Sequence, residues 1–116
     1  MRWSKIWRLR RLRPGGKIVN VQVVENWVVI EGSIAAIAPH PDLAGYALAT
    51  IAVDRVSPLD GLANLFQDAA GQTIPVNILS TKADELALRP PMRIRLRIRK
   101  ATPWSAFADP DSIVLL

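Results

Sequence analysis

Cysteine is absent from the chain, and histidine occurs once, at His40. Without cysteine there can be no disulfide and no thiolate metal site, and a lone histidine between two prolines is typical of an exposed loop residue. Glycine-rich phosphate loops are missing too, because Gly15 and Gly16 form only a pair. Asp109 and Asp111 are too few carboxylates to specify a cation site, and a turn is the better interpretation. The sequence therefore predicts a non-enzymatic protein with no metal and no cofactor.

Long hydrophobic runs are also missing, although half of the 116 residues are apolar. A membrane-spanning helix takes ~20 apolar residues, and the longest apolar stretches are broken by Glu25, Asn26, Glu31 and Asp54. The basic N-terminus is not followed by the apolar segment of a secretory signal. A chain of this length and composition can bury one real core. We therefore expect a soluble, cytoplasmic protein with no transmembrane segment.

Basic side chains are concentrated in two segments, with an acidic segment between them. Residues 18–88 hold two bases and eight acids, and residues 89–100 hold six bases and no acid. Such segregation produces a directional field that can steer a polyanion onto the basic elements. Solubility alone would also account for it, and that simpler interpretation stays open. Residues 1–17 carry no acid and seven bases: Arg2, Lys5, Arg8, Arg10, Arg11, Arg13 and Lys17.

Arginine alternates with apolar residues in residues 92–100, whose sequence is MRIRLRIRK. In a strand, successive side chains point to opposite faces, so the apolar residues would share one face and the arginines the other. A helix would scatter the arginines around its circumference and leave no apolar stripe. Guanidinium groups spaced roughly 7 Å apart suit a string of phosphates or carboxylates. The pattern predicts a strand with a core face and a cationic face.

Further strands are expected on both sides of this segment, separated by turn residues. Glu25 and Asn26 interrupt the first apolar stretch, which forms either a tight hairpin or one long strand bent at a bulge. Gly32 fits a sharp bend of the kind that a small barrel requires. The expected strands cover residues 18–24, 27–37, 46–56, 72–79, 92–100 and 113–116, with loops at 38–45, 57–71 and 102–112.

A short helix is expected over residues 80–88. Ser80 or Thr81 would cap it, and Asp84 and Glu85 would lie in the first turn, where the helix dipole favours acids. Pro90 and its neighbouring proline would end it before the arginine strand begins.

This order of strands, with a long bent first strand and a helix between the third and fourth, resembles the OB-fold. The resemblance covers residues 17–116, and residues 1–16 form a basic, Trp-rich N-terminal arm. It implies a mainly β, five-stranded, OB-like Greek-key barrel with one short helix, whose second and third strands commonly bind the ligand. The arginine strand is the fourth strand and so lies away from that face. An SH3-like barrel is the main alternative, although it would not ordinarily need the helix.

Binding of single-stranded nucleic acid is the leading functional hypothesis. The alternative is an interaction or assembly subunit that docks on an acidic protein, a larger complex or an anionic membrane surface; self-association also stays open. For Trp3 and Trp7, packing onto the barrel or onto a second subunit is a simpler interpretation than base stacking. The candidate polyanion-binding residues are Arg89, Arg93, Arg95, Arg97, Arg99 and Lys100, with Arg8, Arg10, Arg11 and Arg13 in the arm. The candidate stacking residues are Trp3, Trp7, Trp104 and Phe107.

Overall fold

The computed structural model describes residues 25–103 and 105–116. The expected first strand at residues 18–24 and the N-terminal arm, including Trp3, Trp7, Arg8, Arg10, Arg11 and Arg13, lie outside the described residues, as does Trp104. The choice between a hairpin and a bent strand at Glu25 and Asn26 therefore stays open. No helix in the described part of the chain is long and apolar enough to cross a membrane.

The fold is mainly β, as predicted, and its main feature is a closed five-stranded barrel with one short helix. The sheet order is β1-β2-β3-β5-β4, and pairing of β1 with β4 closes the barrel. The closed barrel is compatible with the expected OB-like arrangement. The elements are β1 (Val28–Pro39), β2 (Tyr46–Pro58), β3 (Thr73–Leu79), α1 (Ser80–Glu85), β4 (Arg93–Thr102), β5 (Ser105–Ala108), a 3-10 turn (Pro110–Ser112) and β6 (Val114–Leu115).

Barrel closure depends on the first half of β1, which pairs with β2 on one side and with β4 on the other. The register with β2 shifts at Glu31/Gly32 and again at Ile34/Ala36, and such bulges curve a strand. A Cβ at Gly32 would collide with the carbonyl oxygen of Ala52, so only glycine allows this close approach. The bend expected at Gly32 is confirmed.

The core lies inside the barrel and is built mostly from β-branched residues on alternating strand positions. On β4, Ile94, Leu96 and Ile98 are at most 1% exposed, while the arginines between them face outwards. The two-faced strand predicted from the sequence is therefore confirmed. Other fully buried core side chains are Val28, Ile30, Ile34, Ile51, Val76 and Ile78.

The fifth barrel strand, β5, lies inside residues 102–112, where a loop was expected. It pairs antiparallel with β4 and parallel with β3, so it fills the position between them. Residues 113–116, expected to supply the last strand, contribute only β6, which pairs with Ile94 and Arg95 of β4. The prediction failed because β5 has only four residues and follows closely on a proline.

The helix α1 begins at Ser80, where the predicted helix begins, and ends at Glu85, before the predicted end at residue 88. Leu79 occupies the N-cap position with no side-chain cap, so the prediction of Ser80 or Thr81 as cap was wrong. No acid lies in the first turn. Ala87 adopts a left-handed conformation (φ 51°) directly after the helix, which ends the helix before the prolines. A Lys82–Glu85 ion pair of 2.9 Å raises the pKa of the Lys82 ammonium through its hydrogen bond to the carboxylate.

Candidate nucleic-acid interface

The outer face of β4 carries four arginines in a row. The side chains of Arg93, Arg95 and Arg97 are each about half exposed, at 50%, 46% and 48%. Arg99 is less exposed and lies at the other end of the strand from Arg93. The arginines alternate strictly with core residues, so turning them inwards would move Ile94, Leu96 and Ile98 out of the core. The strand therefore fixes the spacing of the guanidinium groups, and their neighbours decide what each one contacts.

Carboxylates occupy one end of this row, which we name the acidic end: Arg93 and Arg95 with Asp54 and Glu31. Arg93 forms an ion pair with Asp54, and the Nη1 atom of Arg95 lies 3.8 Å from Oε2 of Glu31. Glu31 is also the register partner of Arg55 on β2, so it lies between two arginines. Exposed ion pairs of this kind contribute about 0–1 kcal/mol. They do, however, neutralise much of the positive charge at this end.

A tryptophan occupies the other end, which we name the aromatic end: Arg97 and Arg99 with Trp27. The guanidinium carbon of Arg97 lies 5.5 Å from the ring centroid of Trp27, and that of Arg99 lies 5.4 Å from it. Both distances are within the range of cation–π attraction, worth about 0.5–2 kcal/mol. Arg97 also pairs with Asp109, in the segment that follows β5. This end thus places an aromatic ring and two cations at one surface.

Asn26 holds Trp27 in this position. Its amide accepts a hydrogen bond from the backbone N–H of Lys100 at 2.6 Å and donates one to the Lys100 carbonyl at 3.0 Å. The side chain thereby imitates a backbone pair and continues the β1–β4 register past Val28. At 2% exposure, Asn26 is one of the few buried polar residues among those described. These two hydrogen bonds, which we name the Asn26 clamp, fix Trp27 beside Arg99 of β4.

Two further aromatic rings continue this surface across β5. Arg99 is the register partner of Phe107, and the ring of Phe107 meets that of Tyr46 edge-on, with the centroids 5.5 Å apart. Trp27, Tyr46 and Phe107 are each partly exposed. We name the set Trp27, Arg97, Arg99, Phe107 and Tyr46 the aromatic–arginine stripe. Proteins that bind single-stranded nucleic acids combine aromatic rings, on which bases stack, with basic side chains that pair with phosphates.

A cleft adjoins the stripe where β3 and β5 separate. The two strands are joined by a single register pair, Asn77 with Phe107. Beyond that pair, the seam opens into a cleft of about 620 Å³ between Pro75 and Ser105, roofed by residues 64–69. The ammonium group of Lys100 lines this cleft and lies 5.2 Å from the ring centroid of Phe66. We name it the seam cleft.

The structure brings together only part of the residue set that the sequence predicted. Arg97, Arg99 and Phe107 share the stripe, and Lys100 lies at the adjoining cleft. Arg93 and Arg95 are at the acidic end. Arg89 is exposed in the connection before β4, where it donates to the Ala87 carbonyl at 3.5 Å. The remaining predicted residues lie outside the described ranges: Trp3, Trp7, Arg8, Arg10, Arg11, Arg13 and Trp104.

Two stripe residues, Trp27 and Tyr46, were missed. Trp27 precedes the alternation Val28, Val29, Ile30 and could have been assigned to the outer face by counting back from the core positions. Tyr46 is the first residue of β2, and nothing in its local sequence indicates a contact with β5. That contact depends on the position of β5, which was itself missed.

His40 has a local structural role. Its Nδ1 atom accepts hydrogen bonds from the backbone N–H groups of Asp42 and Leu43, at 3.0 and 2.9 Å, and so organises the connection between β1 and β2. Within residues 25–103 and 105–116, no group of three or more histidine, aspartate or glutamate side chains could hold a metal ion.

Comparison with known proteins adds no assignment. No protein-family model matches the chain, and no curated protein matches it significantly. Any function must therefore be argued from the surface itself.

Proposed function

We propose that this protein is an OB-type binding module for single-stranded nucleic acid, and that the aromatic–arginine stripe is its binding surface. The observation that carries the proposal is the Trp27 ring with two guanidinium groups within 5.5 Å, continued by Phe107 and Tyr46. Rings alone would suit many apolar partners, and arginines alone would suit any polyanion. Their combination on one partly exposed surface suits a ligand that carries both bases and phosphates.

In this proposal the two residue types have different tasks. Arg97 and Arg99 pair with successive phosphates. Lys100 lies on the core side of β4, where its ammonium contacts Phe66 in the seam cleft, so it adds to the positive field and not to the row of phosphate contacts. Bases stack on Trp27, Phe107 and Tyr46, each stacked base contributing about 1–3 kcal/mol. The ion pair between Arg97 and Asp109 joins a half-exposed guanidinium to a carboxylate that is 18% exposed, so a phosphate has to compete with Asp109 for Arg97.

The other basic residues contribute mainly through long-range attraction. Arg89, Arg93 and Arg95 lie towards the far end of β4 and add to the field that steers the strand. The arm residues Arg8, Arg10, Arg11 and Arg13 would add phosphate contacts, and Trp3, Trp7 and Trp104 would add stacking. These seven stay predictions from the sequence.

Fluorescence anisotropy with a labelled strand of about 12 nucleotides tests the proposal, since one OB barrel covers about 4–16 nucleotides. At about 50 mM salt we expect saturable binding that weakens steeply as salt rises. A plot of the logarithm of the binding constant against the logarithm of the salt concentration should have a slope of about −0.7 for each phosphate contact. Poly-glutamate of equal charge should bind at least about tenfold more weakly, because it offers no rings to stack. Equal affinity for both polymers, or none for the oligonucleotide, would overturn the proposal.

Arg55→Gln supplies a charge control for that experiment. Arg55 is an exposed arginine on β2 beside Glu31, outside the stripe. Removing it lowers the net charge as much as removing Arg99 does. We expect the oligonucleotide affinity of this variant to fall less than about twofold.

A docking subunit is the second candidate, and one observation favours it. Val114, Leu115 and Leu116 are 44%, 45% and 53% exposed, and β6 lies against β4 beside Arg95. Apolar side chains next to arginines are typical of a protein interface. A stoichiometric acidic protein that copurifies after nuclease treatment and is lost in Leu115→Asp would support this candidate over the first.

A further inference from the structure

The seam cleft is lined, among the described residues, by one cation and by several apolar side chains. It lies where β3 and β5 separate, and counting back from the Asn77–Phe107 pair puts Pro75 opposite Ser105. Proline has no N–H, so Pro75 gives no ladder hydrogen bond that would close the seam. The cleft of about 620 Å³ falls within the ~300–1,000 Å³ that is usual for small-molecule sites. Its apolar lining includes Phe66, Ile74, Pro75, Pro103 and Ala106.

Lys100 is the cation of the cleft, and it occupies the end of the inward row of β4. Ile94, Leu96 and Ile98 of that row are buried in the core, and the next position in the same alternation is Lys100, which is partly exposed. Its ammonium lies 5.2 Å from the ring centroid of Phe66, which also lines the cleft. A charge on the inward face is costly unless a partner or water solvates it. The charge of Lys100 therefore belongs to the cleft and not to the outer face that carries the stripe.

No group within residues 25–103 and 105–116 pairs with this ammonium. No carboxylate of that range lies within ion-pair distance of Lys100, and no oxygen there accepts a hydrogen bond from its Nζ atom. The other lysine of the range, Lys82, forms a 2.9 Å ion pair with Glu85. Asp68 also lines the cleft, but it is exposed on the roof and does not reach Lys100. The cleft thus offers an ammonium with three N–H donors beside an apolar surface.

We propose that the seam cleft is a second binding site, for a small organic carboxylate whose apolar body is about the size of an aromatic ring. The Lys100 ammonium binds the carboxylate, and the apolar walls take the body out of water. One negative charge matches one ammonium, whereas a phosphate dianion would bring a second charge among apolar side chains and close to Asp68. The side-chain amides of Gln67 and Gln72 line the cleft as well and add hydrogen-bond donors.

This site is separate from the aromatic–arginine stripe. Lys100 lies on the inward side of β4, whereas Arg97 and Arg99 lie on its outward side. Of the described residues that line the cleft, none belongs to the stripe. Carboxylate binding in the cleft therefore does not depend on nucleic-acid binding at the stripe.

Four probes separate the charge from the ring: benzoate, benzyl alcohol, benzylamine and acetate. Their binding is followed by NMR titration of the amide signals of Ala69, Gln72 and Ala106, which line the cleft. We expect benzoate to shift these signals saturably at roughly millimolar concentration. Benzyl alcohol, which lacks the charge, and acetate, which lacks the ring, should each bind at least about tenfold more weakly. Benzylamine carries the same sign of charge as Lys100 and should bind most weakly of the aromatic probes.

Lys100→Met removes the ammonium and keeps an unbranched apolar side chain. It should weaken benzoate binding by about tenfold or more, because the hydrogen bonds to the carboxylate are lost. Lys100→Arg keeps the cation and should retain most of the affinity. Lys82→Met is the matched control, since it makes the same change of charge on α1, outside the cleft, and should change the affinity less than about twofold.

The proposal is overturned when benzoate shifts no signal of the cleft, when benzyl alcohol binds as tightly as benzoate, or when Lys100→Met and Lys82→Met weaken benzoate binding equally. Equal binding of the alcohol would mean that Lys100 only covers the core with its aliphatic stem. Because the four probes are compared on the wild type, that comparison decides the matter even where Lys100→Met folds poorly. Absence of oligonucleotide binding would overturn the proposed function and leave the carboxylate site standing.

Discussion

The two ends of β4 present the same residue at the same spacing and yet form different surfaces. At the acidic end, Arg93 and Arg95 meet Asp54 and Glu31. At the aromatic end, Arg97 and Arg99 meet the ring of Trp27. At the first end both arginines meet carboxylates, whereas at the second end Arg97 meets Asp109 and both arginines also contact a ring. An alternating arginine strand therefore has no single function; the neighbouring strands and turns set what each guanidinium contacts.

Part of this difference comes from three successive outward positions, Glu31 and Val29 on β1 and Trp27 just before it. Glu31 lies opposite Arg95, Val29 lies opposite Arg97, and Trp27 follows in the same alternation beside Arg99. The neighbours of β4 thus change from acid to aliphatic to aromatic over about 13 Å, four residues of strand at ~3.3 Å each. Substitutions can separate what the two ends share, the buried inner face of β4, from the neighbours that distinguish them.

The largest effect on stability is expected from the buried residues of β4, which both ends share. Leu96→Ala removes a side chain that is 1% exposed and packs opposite Ile30. We expect the free energy of unfolding to fall by about 2–5 kcal/mol, measured by urea denaturation. Arg95→Ala, one position away on the outer face, should cost less than about 1 kcal/mol. Similar losses in the two variants would contradict the two-faced strand.

The next effect concerns the clamp that exists only at the aromatic end. Asn26→Ala leaves the N–H and carbonyl of Lys100 without their side-chain partner. We expect a loss of about 2–3 kcal/mol in the free energy of unfolding, together with weaker oligonucleotide binding, because Trp27 loses its fixed position. Asn64→Ala is the stability control: it removes one loop hydrogen bond, to the Phe66 N–H at 2.9 Å, and should cost about 1 kcal/mol. An Asn26→Ala variant with unchanged binding would show that the clamp does not position the ring.

A loss of affinity without a comparable loss of stability is expected at Trp27 itself. Trp27→Ala removes the ring that both guanidinium groups contact, and we expect binding to weaken by about tenfold or more in anisotropy titrations. Trp27→Phe should recover part of that loss, since it restores a stacking face. Equal affinities of the alanine and phenylalanine variants would argue against stacking at this position.

The smallest effect is expected from releasing Arg97. Asp109→Asn removes the carboxylate that pairs with Arg97, while asparagine can still accept the hydrogen bond from the Asp111 N–H. We expect the oligonucleotide affinity to rise by about two- to fourfold at low salt. Asp111→Asn changes the net charge equally on the same turn and should raise it less than about 1.5-fold. Equal gains would mean that only total charge matters.

The barrel could be predicted from the sequence mainly where periodicity is strong. In β4, Ile94, Leu96 and Ile98 alternate with arginines, a pattern that fits only a strand with one buried face. The structure has this strand. The bend at Gly32 was also predictable, because an isolated glycine in a strand indicates a close approach of another backbone. By contrast, β5 is too short for any periodicity to emerge from a segment rich in turn residues.

The candidate site was less predictable than the fold. The sequence marked the arginines by their pattern, but a pattern along one strand cannot say which residues of other strands lie beside it. Pairing of Arg95 with Glu31 and contact of Arg99 with Trp27 both depend on the β1–β4 register, which spans about 65 residues of chain separation or more.

The most direct test of the central claim compares two double variants that remove the same charge from the same strand. Arg93→Gln/Arg95→Gln changes the acidic end, and Arg97→Gln/Arg99→Gln changes the aromatic end. In anisotropy titrations with one single-stranded oligonucleotide at about 50 mM salt, the first should weaken binding less than about threefold, and the second by about tenfold or more. Equal losses in the two variants, or a larger loss at the acidic end, would contradict the account.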